Sequence, residues 1–98
     1  MSEYLVTIEG QNLLVDVEGE LGKFGFVRVE QVEASNATLA ARRALTEVQT
    51  DPTIAQKIRN ESGDSPAMTV KDVVRADQDA EARKIAGTTV WFPMDARE

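Results

Sequence analysis

Apolar and polar positions alternate from Glu3 to Glu9: Tyr4, Val6 and Ile8 fall on one side and Leu5 and Thr7 on the other. This period of two, rich in β-branched side chains, predicts a strand. Gly10-Gln11-Asn12 reads as a turn, and Leu13-Leu14-Val15-Asp16-Val17 as a second short strand. Gly19, Gly22 and Gly25 punctuate the connection that follows, and the longest strand-like run extends from Phe24 to Ala34. In that run Val27 and Val29 share one face while Phe26, Arg28 and Glu30 share the other, so one face reads as buried. The shift in alternation at Val32 predicts a bulge or strong bend near Gln31.

At Ser35 the composition changes to alanine, leucine and arginine. Ser35 or Asn36 can accept the first free backbone N–H groups, so a helix is expected to run from there to about Gln49. At 100° per residue, Ala37, Ala41, Ala44 and Val48 form one stripe, flanked by Ala40 and Leu45, whose small side chains allow close packing on a sheet. Asp51-Pro52 begins a second, short helix, because proline at the first helical position lacks an N–H that would be unpaired there anyway. Ile54 and Ile58 anchor this helix, and Gly63 with Asp64-Ser65-Pro66 ends it. Met68 and Val70 open another strand, in which Lys71-Asp72 interrupts the alternation before Val73-Val74-Arg75. Residues 77–87 read as a loop with a helical turn, and Thr88 to Phe92 as a last strand stopped by Pro93. Met94 onward reads as a flexible charged tail.

These elements predict a single α+β domain over residues 1–98. Its antiparallel sheet has four or five strands in the order β-β-β-α-α-β-β, with the 36–49 helix packed on one face and the 52–60 helix at its end.

Composition narrows the chemistry. The chain of 98 residues contains no cysteine and no histidine, which excludes disulfide frameworks, zinc fingers, thiol nucleophiles and imidazole bases. No apolar run is long enough to span a bilayer and the opening residues are acidic, so a cytoplasmic protein is expected. Seventeen acidic against 11 basic residues give a net charge of −6, a mean field that repels nucleic acid phosphates and anionic membranes. The balance is uneven: residues 36–60 hold two acids and four bases, Arg42, Arg43, Lys57 and Arg59. On the predicted main helix, Leu39 lies on the side opposite the alanine stripe, together with Arg42, Arg43 and Thr46. A large apolar residue among cations on an outward face marks Leu39, Arg42, Arg43 and Thr46 as a candidate partner surface, although a lone exposed leucine is also ordinary.

Other motifs carry less. The Gly19–Gly25 segment has the glycine density of a phosphate loop but feeds a strand rather than a helix, so a hairpin connection is the better reading. Asp77, Asp79 and Glu81 have alternating spacing, yet Arg83-Lys84 follow and the bending glycine of a calcium loop is missing; solvated loop acids are expected. The glycosylation sequons at Asn36 and Asn60 read better as helix capping and termination. Asp16 is the one carboxylate set between valines, an apolar setting that suits a general base, but strand alternation turns it outward. Trp91 and Phe92 should point to opposite faces, one into the core and the other free to make an aromatic contact.

The order strand, Gly25-Phe26, Val32-Glu33-Ala34, alanine-rich helix, Asp51-Pro52 and a closing Trp91-Phe92-Pro93 resembles small uncharacterised bacterial α+β proteins over residues 4–94. That resemblance implies a sheet-plus-helix fold and brings no activity, cofactor or binding residue. A more distant likeness is to the HicB-related antitoxin architecture, a β-meander followed by a helix, but that family's central Pro and Gly-Cys pattern is missing here. The functional expectation is therefore a non-catalytic interaction or regulatory module with a protein partner or a second copy, without a cofactor. The rivals are a ligand-binding or enzymatic domain with its pocket at a sheet or dimer face, using Trp91 or Phe92, and a structural protein that self-associates through a strand edge.

Overall fold

Two long strands carry the architecture. In the computed structural model, which describes residues 1–17, 19–55, 58–59 and 66–93, β1 (Ser2–Val17) and β2 (Glu20–Ala34) form one antiparallel hairpin. After it come α1 (Ala37–Gln49), α2 (Pro52–Ala55) and β3 (Ala67–Arg75). A 3-10 turn (Ala76–Gln78), α3 (Ala80–Lys84) and β4 (Thr89–Pro93) complete the order. The sheet is a four-stranded antiparallel one in the order β3-β1-β2-β4, so the hairpin occupies its centre and the later strands its edges. The α+β class and the strand count agree with the expectation from sequence. No helix among the described residues is long and apolar enough to cross a membrane.

The first two strands read from the sequence are one strand. Gly10 pairs with Phe26 and Leu13 with Phe24, three steps in β1 against two in β2, so a single extra residue is absorbed as a bulge. Asn12 occupies the left-handed region there at φ 61°, and its side-chain oxygen accepts from Lys23 Nζ at 2.6 Å. Glycine and a left-handed asparagine are turn signals in sequence, but here they bend a continuous strand. The glycine-rich segment after β1 is a hairpin connection, with Gly19 at φ 90° donating its N–H to Asp16 Oδ1.

No bulge occurs near Gln31. Register is unbroken from Ser2–Ala34 to Gly10–Phe26, so Phe26, Arg28, Glu30, Val32 and Ala34 all lie on the face that carries α1. The apparent slip arises because two charged residues occupy core-facing positions. The bulge expected there is in β3 instead: Asp72 pairs with Thr7 and Val70 with Ile8, leaving Lys71 as the extra residue. It explains how Val70 and Val73, three apart, both pack against the same core.

Val6, Ile8, Leu13, Val15, Phe26, Val32 and Ala34 form the floor of that core and Ala40, Ala44 and Val48 of α1 its lid. The buried stripe of α1 is centred on Ala40-Ala44-Val48; Ala37, placed in it from the periodicity, is exposed. Asn36 is the N-cap, its side-chain oxygen accepting from Leu39 N at 2.9 Å. In α2, Asp51 accepts from Thr53 N and Pro52 is the first helical residue. Ile58 does not continue that helix. It forms an isolated bridge with Val15, while Arg59 N donates to Leu14 O at 2.7 Å, closing the outer half of β1. The Gly63–Ser65 terminator, the Asn60 sequon, Lys57 and the 94–98 tail lie outside the described residues.

On the opposite sheet face Leu5, Val29 and Ala76 make a smaller cluster, against which Val74, Ala82 and Ala86 pack. Residues 77–87 are therefore more ordered than a loop. Asp79 caps α3 by accepting from Ala82 N, and Gly87 N donates to Val29 O at 2.7 Å.

Candidate functional site

The four residues singled out on the main helix meet at one surface. Leu39, Arg42, Arg43 and Thr46 line an open groove of about 410 Å³ along the outer flank of α1, which Met1 and Ala34 also line. The local reason is the helical period. With Ala40, Ala44 and Val48 held on the sheet, residues 39, 42, 43 and 46 must project away from it. Leu39 is 42% exposed and Met1 79%, so the groove presents apolar surface to water.

Its charge is as distinctive. Arg43 Nη1 donates to the backbone oxygen of Glu33 at 2.8 Å, a neutral partner. Among the described residues, neither Arg42 nor Arg43 lies within ion-pair distance of a carboxylate. Glu47 is the one acid on the groove wall. Two guanidinium groups with spare donors beside an exposed leucine can accept a carboxylate and an apolar side chain together.

A second polar cluster was not evident from the sequence. Arg28, on the core-facing side of β2, donates from Nε to Glu30 Oε2, from Nη1 to Asp51 Oδ2 at 2.8 Å and from Nη1 to Thr89 Oγ1 at 3.1 Å. The side chains are largely covered, 16% exposed for Arg28 and 17% for Asp51. Burial works against the guanidinium charge, but Glu30 and then Asp51 outweigh it and raise the Arg28 pKa. Asp51 is held below the ordinary carboxylate range by the Thr53 hydroxyl and N–H, with Arg28 adding to the effect. This cluster joins β2, β4 and the start of α2, and every charge in it is answered by another group of the chain. It is a fastening, and its one sequence signal is that Arg28 and Glu30 share parity with Phe26 and Val32.

The remaining candidates separate. Trp91 and Phe92 do point to opposite faces. Trp91 packs on Phe26 with ring centroids 5.3 Å apart, and the Phe92 ring covers Gly25, where a Cβ would come within 2.6 Å of it. Both rings are thus engaged in packing. Asp16 is exposed at the hairpin end. The three loop acids have separate local roles: Asp79 caps α3, Asp77 lies 3.9 Å from Arg75, and Glu81 lies 3.8 Å from Lys84. No three potential ligands converge on a metal position among the described residues. No protein-family model matches the chain, and neither does any curated protein or solved structure.

Proposed function

We propose that this chain is a non-catalytic binding module that engages another protein through the groove on the outer flank of α1. The observation that carries the reading is the juxtaposition of exposed Leu39 with Arg42 and Arg43, which have no carboxylate partner among the described residues of a chain of net charge −6. Water-exposed apolar surface beside unneutralised guanidinium groups favours a partner segment with an apolar side chain next to a carboxylate. Burial of the leucine supplies affinity and the arginines supply orientation and specificity.

The test is selection from a random peptide library displayed on phage, followed by affinity measurement on the recovered peptides. Sequences combining an apolar residue with aspartate or glutamate are expected, and Leu39→Asp or the double change Arg42→Glu, Arg43→Glu should weaken them by about tenfold or more. Recovered peptides that bind these variants as tightly as the unaltered chain would place the contact elsewhere.

A further inference from the structure

Among the described residues the outer edges of the sheet are not equally protected. The β3 edge carries a bulge at Lys71, with that cation exposed, both of which discourage pairing with another strand. The β4 edge is five residues long and ends in Pro93, which has no N–H to donate. β2 is left uncovered on both sides of its β4 partner, over Glu20–Lys23 beside the hairpin turn and over Glu30–Ala34 beside the α1 groove. Its residues pair with β1 up to Ala34, but β4 covers only Phe24–Arg28 on the other side. Gly87 N takes Val29 O, and beyond it the edge runs from Glu30 to Ala34 without a neighbouring strand among the described residues.

Antiparallel geometry fixes which groups this edge presents. Because Val29 O points away from β1, the backbone groups of Gln31 and Glu33 point the same way. Among the described residues the one group satisfied there is Glu33 O, by the side chain of Arg43, which belongs to the groove wall. The edge and the groove are therefore adjoining parts of one surface.

We propose that the partner segment binds as an added strand along Glu30–Ala34 of β2, with its side chains alternating toward and away from the α1 groove. This deepens the binding reading above and rests on it. The occupant is an extended segment of another protein carrying an apolar residue and a carboxylate, rather than a second copy of this chain. Five residues of strand span only about 17 Å, enough for a linear segment, whereas two copies paired along so short a stretch would have to bury most of the roughly 1,200–2,000 Å² of a stable dimer through other surfaces. A second copy would also set one chain of charge −6 against another, whereas an acidic segment meets Arg42 and Arg43 locally. Strand addition derives its affinity from the main chain and its selectivity from alternate side chains.

The experiment uses the peptides recovered by library selection, each remade with one backbone nitrogen methylated at a time. Strand addition predicts a loss of about tenfold at alternate positions and little change at the positions between them, together with slowed amide exchange at Gln31 and Glu33 in the complex. Gln31→Pro, which removes an outward N–H at a sheet edge, should abolish binding while leaving β1 pairing intact. If Gln31→Pro does not fold, the methylated peptides and the exchange data decide alone. Binding that depends on Leu39 but ignores backbone methylation and leaves Gln31 and Glu33 exchanging freely overturns strand addition and keeps the groove reading. A library that yields no binder overturns both.

Discussion

Arg28 Nη1 donates to Asp51 Oδ2 at 2.8 Å, tying the middle of β2 to the turn between α1 and α2 across 23 residues of chain. The tie depends on an ionised carboxyl. Asp51 titrates lower in the folded chain than in the unfolded one, so its contribution is complete above the ordinary carboxylate pKa of about 4 and fades as pH falls through the folded value. Asp51→Asn is expected to lower the urea midpoint most at neutral pH, with the difference from the unaltered chain shrinking as the solution is acidified below the ordinary carboxylate range. Equal differences at neutral and acidic pH would show that the carboxylate charge is not what holds the turn.

The Phe26 ring lies over Gly10 on the neighbouring strand, where an added Cβ would meet three ring carbons, Cζ among them at 2.8 Å. Phe26 is fully buried and cannot swing outward. Gly10→Ala should therefore destabilise the fold by about 1–3 kcal/mol in a denaturant melt. Gly19→Ala is a useful contrast, since open space surrounds that position and the penalty comes only from its left-handed backbone.

Ala44 is fully buried between α1 and the sheet, whereas Ala37 at the start of the same helix is exposed. Ala44→Trp should lower stability by about 1–3 kcal/mol through overpacking, and Ala37→Leu should leave it within about 0.5 kcal/mol. Thermal unfolding of the two variants side by side reads the orientation of the helix directly.

The Asn36 cap is short and local, so its removal should be felt mainly by α1. Asn36→Ala is expected to lose about 1 kcal/mol, while Asn36→Asp should keep most of it because a carboxylate suits the positive end of the helix. Helix content by circular dichroism during urea unfolding gives the measurement.

The main helix and the opposed faces of Trp91 and Phe92 were legible because each follows from a local rule, a cap with a 3.6-residue period in one case and strand alternation in the other. The surface formed by Leu39, Arg42, Arg43 and Thr46 was legible as a set for the same reason, but Met1, which also lines the groove, comes from a distant part of the chain. Gly10-Gln11-Asn12 misled because a bulge and a turn use the same residues, and only pairing with Phe24 and Phe26 distinguishes them. Arg28 and Glu30 misled more deeply. A charged residue in a strand ordinarily marks the wet face, and here each is admitted to the covered face by a partner, one of which is Asp51 on another element.

The order β3-β1-β2-β4 sets a sequence of events during synthesis. Residues 2–34, which make the central hairpin, are synthesised before residues 67–75 and 89–93, which supply its two flanking strands. Until then the core-lining strands Val6–Val15 and Phe26–Ala34 have α1 to rest on but no neighbours at their sides. The nascent chain thus passes through an interval in which both flanks invite pairing with other unfinished copies. Slower translation between residues 35 and 66 would lengthen that interval, so the yield of soluble protein should respond to codon choice in that stretch without any change in the amino-acid sequence.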